Sequence, residues 1–276
     1  MFKIIVLVIA ALAVFFWYPT GSEQPQEPAK APQPYHSVQR NTGGNEQTAS
    51  VLLSVLPPKQ EWPEPVQKIW LVFNIETAVQ ERAYGADWIP ITEIPLEMQQ
   101  ALLAIEDHNF YNHGAIDVDS ILRATLANIN AGEVVQGGST ITQQLTKNLF
   151  LSQEQTMGRK AEEALLALIM EQHYTKDQLL EIYFNTTYFG EGATGIKAAA
   201  ATYFAKNPSD LQLAECAVIA ALPYAPSALN PLENPVGCKK RQRLVLQTMV
   251  KRGYIGDAMA EQAAAATVDL ADGTTL

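Results

Sequence analysis

From Ile94 onward the apolar residues of this chain recur at helical spacing, and the polar residues between them carry helix-start signals. Ile94, Met98, Ala101, Leu102 and Ile105 fall on one helix face, with Pro95 where a first-turn proline is tolerated. A second helix is expected over "DSILRATLANINAG", with Asp119 as its cap, a face of Leu122, Thr125, Leu126 and Ile129, and Gly132 as its stop. Ser152 with Gln155, Thr175 with Gln178 and Ser209 with Gln212 each have the spacing of a capping box, whose side chains satisfy orphan backbone N–H groups. The expected fold class is therefore mainly α. "KIWLVFNI", Lys68 to Ile75, reads as a strand, and no internal repeat is evident.

Upstream the composition changes twice. Ile4 to Tyr18 is an unbroken apolar run after Lys3, ending in an aromatic pair suited to a membrane interface. As a helix it spans about 22 Å, short of a ~30 Å hydrocarbon core until its flanks are added. The small-x-small tripeptide Ala11-Leu12-Ala13 lies inside the run rather than at its end, which favours an uncleaved anchor over residues 1–19 against a cleaved signal peptide. Lys3 would then stay cytoplasmic and the rest of the chain would face outward. Residues 20–50 are rich in Pro, Gln, Gly and Ser and read as a linker. Residues 51–276 are left as the folded domain.

The 47% hydrophobic content excludes wholesale disorder, and a formal charge of -10 argues against a nucleic-acid partner. Cys216 reads as a small core residue. Cys238 lies near a helix start beside Lys239, Lys240 and Arg241, a setting that would lower a thiol pKa, and a bridge between the two cysteines stays open.

Three stretches carry candidate chemistry. In "AIEDHNFYNHGAID", Glu106 falls at the rim of the apolar face, so desolvation would raise its basicity. His108 and His113 match no zinc spacing, and His113 reads as a structural hydrogen-bonding residue beside the turn at Gly114. In "GGSTITQQLTKNLF", Ser139 and Thr140 open a helix whose free N–H groups attract anions. Ile141, Leu145 and Leu149 form its buried face, while Gln143, Gln144 and Lys147 share another that suits a sugar attached to a phosphate. In "RKAEEALLALIMEQHYTKDQLLEIYFN", Arg159 and Lys160 join Lys147 as cations in an otherwise acidic chain. Glu162 and Glu163 then enter an apolar helix, and periodicity does not choose between them.

Together with "YFGEGATGIKAAAATYFAKNPSDLQLAECAVIAALPYAPSALNP", these motifs stand in an order that resembles glycosyltransferase family 51, the peptidoglycan glycosyltransferases, over about residues 90–252. The resemblance implies a lysozyme-like, two-lobed helical fold with a lipid-facing lobe. It also implies polymerisation of lipid II, with the growing lipid-linked strand as donor, inversion at the anomeric carbon and release of undecaprenyl pyrophosphate. Carried over by position, Glu106 is the general base. Glu163 is the second acidic residue, assisting the leaving pyrophosphate directly or through a divalent cation, Mg or Mn, and no organic cofactor is implied. Asp107, Phe110, His113 and Gly114 would shape the first motif, and Ser139, Thr140, Gln144 and Asn148 would line the donor cleft. Lys147 and Arg159 can neutralise the departing pyrophosphate, Lys160 being either a helper or merely solvated. Tyr183, Asn185 and Tyr188 are expected to hold structure. Tyr224 departs from the pattern, standing where many members place Lys or Gln.

Implied partners are lipid II, the growing strand, the membrane and other cell-wall synthesis proteins, with the catalytic domain on the outer face of the cytoplasmic membrane. No SxxK and no KTG occurs, so the transpeptidase signature of bifunctional relatives is missing from these residues; the chain is either monofunctional or a fragment. The competing readings are a lytic, glycan-cleaving enzyme and a catalytically silent scaffold.

Overall fold

The computed structural model describes residues 58–85, 87–131, 137–152 and 156–276. The expected anchor and linker, the Gly132 stop and Gln155 lie outside the described residues. Within them no helix is long and apolar enough to cross a membrane. Contacts divide the chain into two units, Met1–Ala78 and Val79–Leu276.

In the first unit the expected strand is a helix, α1 (Glu64–Phe73), with Pro63 at its N-cap and Pro65 in its first turn. A short apolar run does not distinguish a strand from a helix. The prolines decide it, because their fixed φ pre-organises a helix start and removes donors that would be orphaned there anyway. Asn74 ends the helix, its amide donating to the Trp70 carbonyl at 2.9 Å. The division between the units falls inside α2 (Ile75–Ala83).

The second unit continues with α3 (Leu96–Glu106), α4 (Val118–Ala131), α5 (Ile141–Phe150), α6 (Met157–His173), α7 (Lys176–Thr186), α8 (Ile196–Phe204), α9 (Leu213–Ala221), α10 (Pro235–Lys251) and α11 (Asp257–Ala265). Among the described residues the only β pairing is two isolated bridges, Tyr188 with Thr194 and Asp269 with Thr275. The α class is as expected.

α9 is the pivot of one helix group. Its sequence, LAECAVIAA, is apolar nearly all round, and every residue from Ala214 to Ala221 is buried. Its small side chains let α3 and α10 approach closely on two sides, and α11 packs on α10. A second group forms where α5 packs against α6 and α7, and α8 touches both α7 and α9.

Capping is confirmed in part. Thr175 and Gln178 form the expected reciprocal box at α7. At α6 the cap is Thr156, whose hydroxyl accepts from Arg159 N–H at 3.1 Å, and the box expected between Ser152 and Gln155 reaches outside the described residues. At α9 the box is shifted by three, with Glu215 accepting from Gln212 N–H at 2.8 Å. In α4 the cap is Asp117 rather than Asp119: its carboxylate accepts from Ser120 N–H at 3.0 Å. The apolar face of α4 is also not a core face. Leu122, Thr125, Leu126 and Ile129 are exposed, Leu126 by 62% and Ile129 by 70%, and of the apolar residues from Val118 to Ile129 only Ala124 is buried. Periodicity reports that one side of a helix is apolar, not that protein covers it.

Candidate active site

α3 runs apolar into the core, with Met98, Ala101 and Leu102 fully buried, and delivers Glu106 at its last position. The chain then turns through Asp107, whose backbone leaves the helical region. Both oxygens of this buried carboxylate are taken. Oδ1 meets His113 Nε2 at 2.7 Å, and Oδ2 accepts from Ile141 N–H, the first residue of α5, at 3.0 Å. An anion at a helix N-terminus is favoured there by the helix dipole and the free N–H groups. Asp107 therefore ties the end of α3 to the start of α5. His113 completes the clasp, its Nδ1 meeting the Gly114 carbonyl. Burial lowers the His113 pKa, but the bonds to Asp107 and Gly114 outweigh it and the net shift is upward.

The start of α5 is rigid. Thr140 accepts from Gln143 N–H at 3.1 Å and donates to the Ala115 carbonyl at 2.7 Å, while Gln143 Oε1 accepts from Thr140 N–H. Gln143, expected on a sugar-binding face, is buried and spent on this cap. Gln144, one position on, points the other way. Its Nε2 donates to Glu106 Oε2 at 2.9 Å, and its Oε1 accepts from the buried Tyr183 hydroxyl on α7 at 3.0 Å. Tyr183, expected only to hold structure, thus fixes which end of the Gln144 amide faces the carboxylate. Asn185 and Tyr188 do hold structure, through Ile89 and the Gly192 N–H respectively.

Glu106 faces a cavity of about 310 Å³ that Ser139, Thr140, Gln144, Tyr224, Arg123, Arg241 and Arg252 also line. Desolvation raises its pKa above the usual carboxylate value, Asp107 adds to the rise, and Gln144 and Arg241 oppose it. The rim position read from the helical wheel therefore has the consequence expected of it. The arginines were not anticipated as site residues. Arg241 falls in the basic run "KKRQR" of an acidic chain, noted only for its effect on Cys238, whereas Arg123 and Arg252 stand outside that run. That effect is not found: burial pushes the Cys238 thiol up to about 12, and both cysteines are free and buried. His108 also lines the cavity, held below its usual value by burial and then by Arg252 and Arg123.

Glu162 and Glu163, which periodicity left equivalent, are both buried on α6 but have different partners. Glu162 pairs with Arg159. Glu163 pairs with Lys160, whose ammonium also donates to Ser139 Oγ at 2.7 Å on the cavity wall. Glu163 is thus the one linked to the cavity, and Lys160, left undecided by sequence, is the link. Lys147 and Asn148 lie one turn beyond Gln144 on α5, and neither lines the cavity, nor do Arg159, Phe110 and His113. Phe110 is core, with the Lys176 ammonium 4.4 Å from its ring centroid.

No group of three His, Cys, Asp or Glu side chains that could hold a metal occurs among the described residues. Glu163, the proposed ligand, is engaged by Lys160.

The transglycosylase family profile matches residues 74–250, from the N-terminal end of α2 to the last turn of α10. The chain belongs to this family. It is 46% identical over 185 residues to penicillin-binding protein 1A of Aquifex aeolicus, covering 67% of this chain and 25% of that protein. It is 46% identical over 177 residues to penicillin-binding protein 1A of Neisseria flavescens, covering 22% of that protein. The matched part thus spans about a quarter of the length of these relatives. A Cupriavidus necator protein whose name carries the word transglycosylase is 47% identical over 169 residues, 61% of this chain and 73% of that one. The crystal structure of penicillin-binding protein 1A from Haemophilus influenzae aligns with a TM-score of 0.41 at 22% identity, over 67% of this chain and 18% of that one. Within this transglycosylase chain, Glu106, Gln144, Glu163 and Arg241 all lie inside the matched segment, and Arg252 lies just beyond it.

Proposed function

We propose that this chain polymerises lipid II into peptidoglycan glycan strands, with Glu106 as the general base. The ionised carboxylate takes the proton from the 4-hydroxyl of an incoming lipid II sugar. The freed oxygen attacks the anomeric carbon of the growing strand from the face opposite its diphosphate. The carbon–oxygen bond to the diphosphate breaks, the electron pair leaves with undecaprenyl pyrophosphate, and the configuration inverts. Charge growing on the leaving diphosphate is met by Lys160, which Glu163 orients beside Ser139 at the cavity wall.

One observation carries this reading. Glu106 is a desolvated carboxylate with a raised pKa, facing a cavity large enough for part of a sugar and held in one orientation by Gln144. A base must be basic enough to take a hydroxyl proton and fixed close to where that proton arrives. The exposed apolar side of α4, Val118, Ile121, Leu122, Leu126 and Ile129, supports a lipid-facing lobe, as a lipid-linked substrate requires. Within this reading the chain works at the outer face of the cytoplasmic membrane.

The test is incubation of the purified full chain with lipid II, reading glycan strands by gel. The unaltered protein should consume lipid II and yield polymer, and Glu106→Gln should not. Near-normal polymer from Glu106→Gln would remove Glu106 from the role of base, and soluble fragments released from finished peptidoglycan would argue for cleavage instead.

A further inference from the structure

Tyr224 ends the short 3-10 turn Leu222–Tyr224 that follows α9, lines the cavity and is 63% exposed as a residue. Arg241, in the middle of α10, lays its guanidinium over that ring, 4.3 Å from the centroid. The contact is all the more consequential because Arg241 Nε is buried without a hydrogen-bond partner. No carboxylate is paired with this guanidinium within salt-bridge distance among the described residues, so the aromatic face is its principal fixed support. Arg241 lines the same cavity as Glu106, and its charge acts on that carboxylate.

We propose that Tyr224 is a positioning residue for the transfer reaction: its ring holds the Arg241 guanidinium on the cavity wall, so that a fixed cation faces the Glu106 carboxylate. A flat guanidinium stacks on an aromatic face and keeps its edge N–H groups free. Those edges are then available to the open cavity. A neighbouring fixed cation favours the ionised form of a carboxylate, opposing the burial that makes Glu106 basic. The two effects act on Glu106 in opposite directions. The other groups around Glu106 are Asp107 from the turn after α3, the Tyr183 hydroxyl from α7 and the uncharged Gln144 from α5. His108, Asp117, Arg123 and Arg252 line the remainder of the cavity. The proposal rests on Glu106 being the base.

The experiment compares the full chain in detergent with its Tyr224→Phe, Tyr224→Ala and Tyr224→Leu variants by two readouts. One is the titration of the Glu106 carboxyl, followed by ¹³C NMR of Glu-labelled protein and assigned by the signal lost in Glu106→Gln. The other is the pH profile of lipid II polymerisation. In Tyr224→Ala and Tyr224→Leu the Glu106 titration should move to higher pH. Their rates should fall roughly two- to fivefold on the acid limb, the size of a partly exposed cation–π contact, and recover towards the alkaline plateau. Tyr224→Phe, which keeps the aromatic face, should titrate as the unaltered chain does. An unmoved Glu106 titration in Tyr224→Ala and Tyr224→Leu, or a Tyr224→Phe variant that behaves like them, overturns the proposal. If the unaltered chain does not consume lipid II, the polymerase reading falls, while the titration still decides whether Tyr224 and Arg241 act on Glu106.

Discussion

The Glu106 carboxylate, at the last position of α3, accepts a 2.9 Å hydrogen bond from the Gln144 amide of α5, and the other end of that amide is held by Tyr183. Without the Tyr183 hydroxyl the amide is free to turn its oxygen towards the carboxylate, where the two would repel. Tyr183→Phe should therefore slow polymerisation by about two- to tenfold, the worth of roughly 0.5–1.5 kcal/mol for one net hydrogen bond. Initial rates of lipid II consumption measure this, and an unchanged rate would mean that Gln144 needs no such support.

Removing the carboxylate proposed as the base should stabilise the protein while disabling it. The Glu106 pKa is raised by folding, so the folded state pays for ionising this group. That cost is absent well below the unfolded value of 4.5, grows as pH rises past it and is complete above the folded pKa. Glu106→Gln should be more stable than the unaltered chain at neutral pH, with the gap closing towards acid, while activity falls at least ~100-fold. Chemical denaturation at a series of pH values checks the sign.

The Asp107–His113 clasp makes the opposite contribution. Its folded histidine pKa is raised, so its stabilisation is fully present below the unfolded value of 6.5 and is lost as pH rises through the folded value. Asp107→Asn should cost about 1–3 kcal/mol at pH 6, since it removes the charged partner of both His113 and the α5 N-terminus. Its stability should also depend less on pH across that window. A denaturation series from pH 5 to 9 that gives parallel curves for the two proteins would separate His113 from Asp107.

Arg159 and Lys160 should part company under mutation. The Lys160 side chain is 46% exposed, so its pair with Glu163 is screened by water, and Lys160→Met should change stability by less than about 1 kcal/mol. Its effect on kcat/KM should be larger than this, because the ammonium joins Glu163 to Ser139 at the cavity. Arg159 and Glu162 are both largely buried, and Arg159→Met should cost roughly 1–3 kcal/mol in stability. Equal stability losses in the two variants would contradict this division.

Much of this protein was legible from residue order alone. Helical class, the Thr175 box, the motifs that carry the family and the place of Glu106 at the end of an apolar helix face all follow from spacing and side-chain chemistry within a turn or two. The strand expected at Lys68 was wrong because an apolar run of that length suits either element, and Pro63 and Pro65 weigh more than the run does. The caps expected at Asp119 and Ser209 were displaced for a related reason. Several capping side chains stand close together at each helix start, and the one used is set by how the preceding chain enters the helix.

What only the tertiary structure decided are the relations between residues far apart in the chain. Asp107 reaches Ile141, Gln144 bridges Glu106 and Tyr183, and Arg241 comes back across the cavity to lie on Tyr224. The α4 stripe is apolar by sequence and uncovered by structure, and Glu162 and Glu163 meet different cations. Local periodicity records the chemistry a residue offers. Whether that offer is spent on a helix cap, on a core or on a cavity depends on which distant element packs against it, and no window of neighbouring residues contains that information.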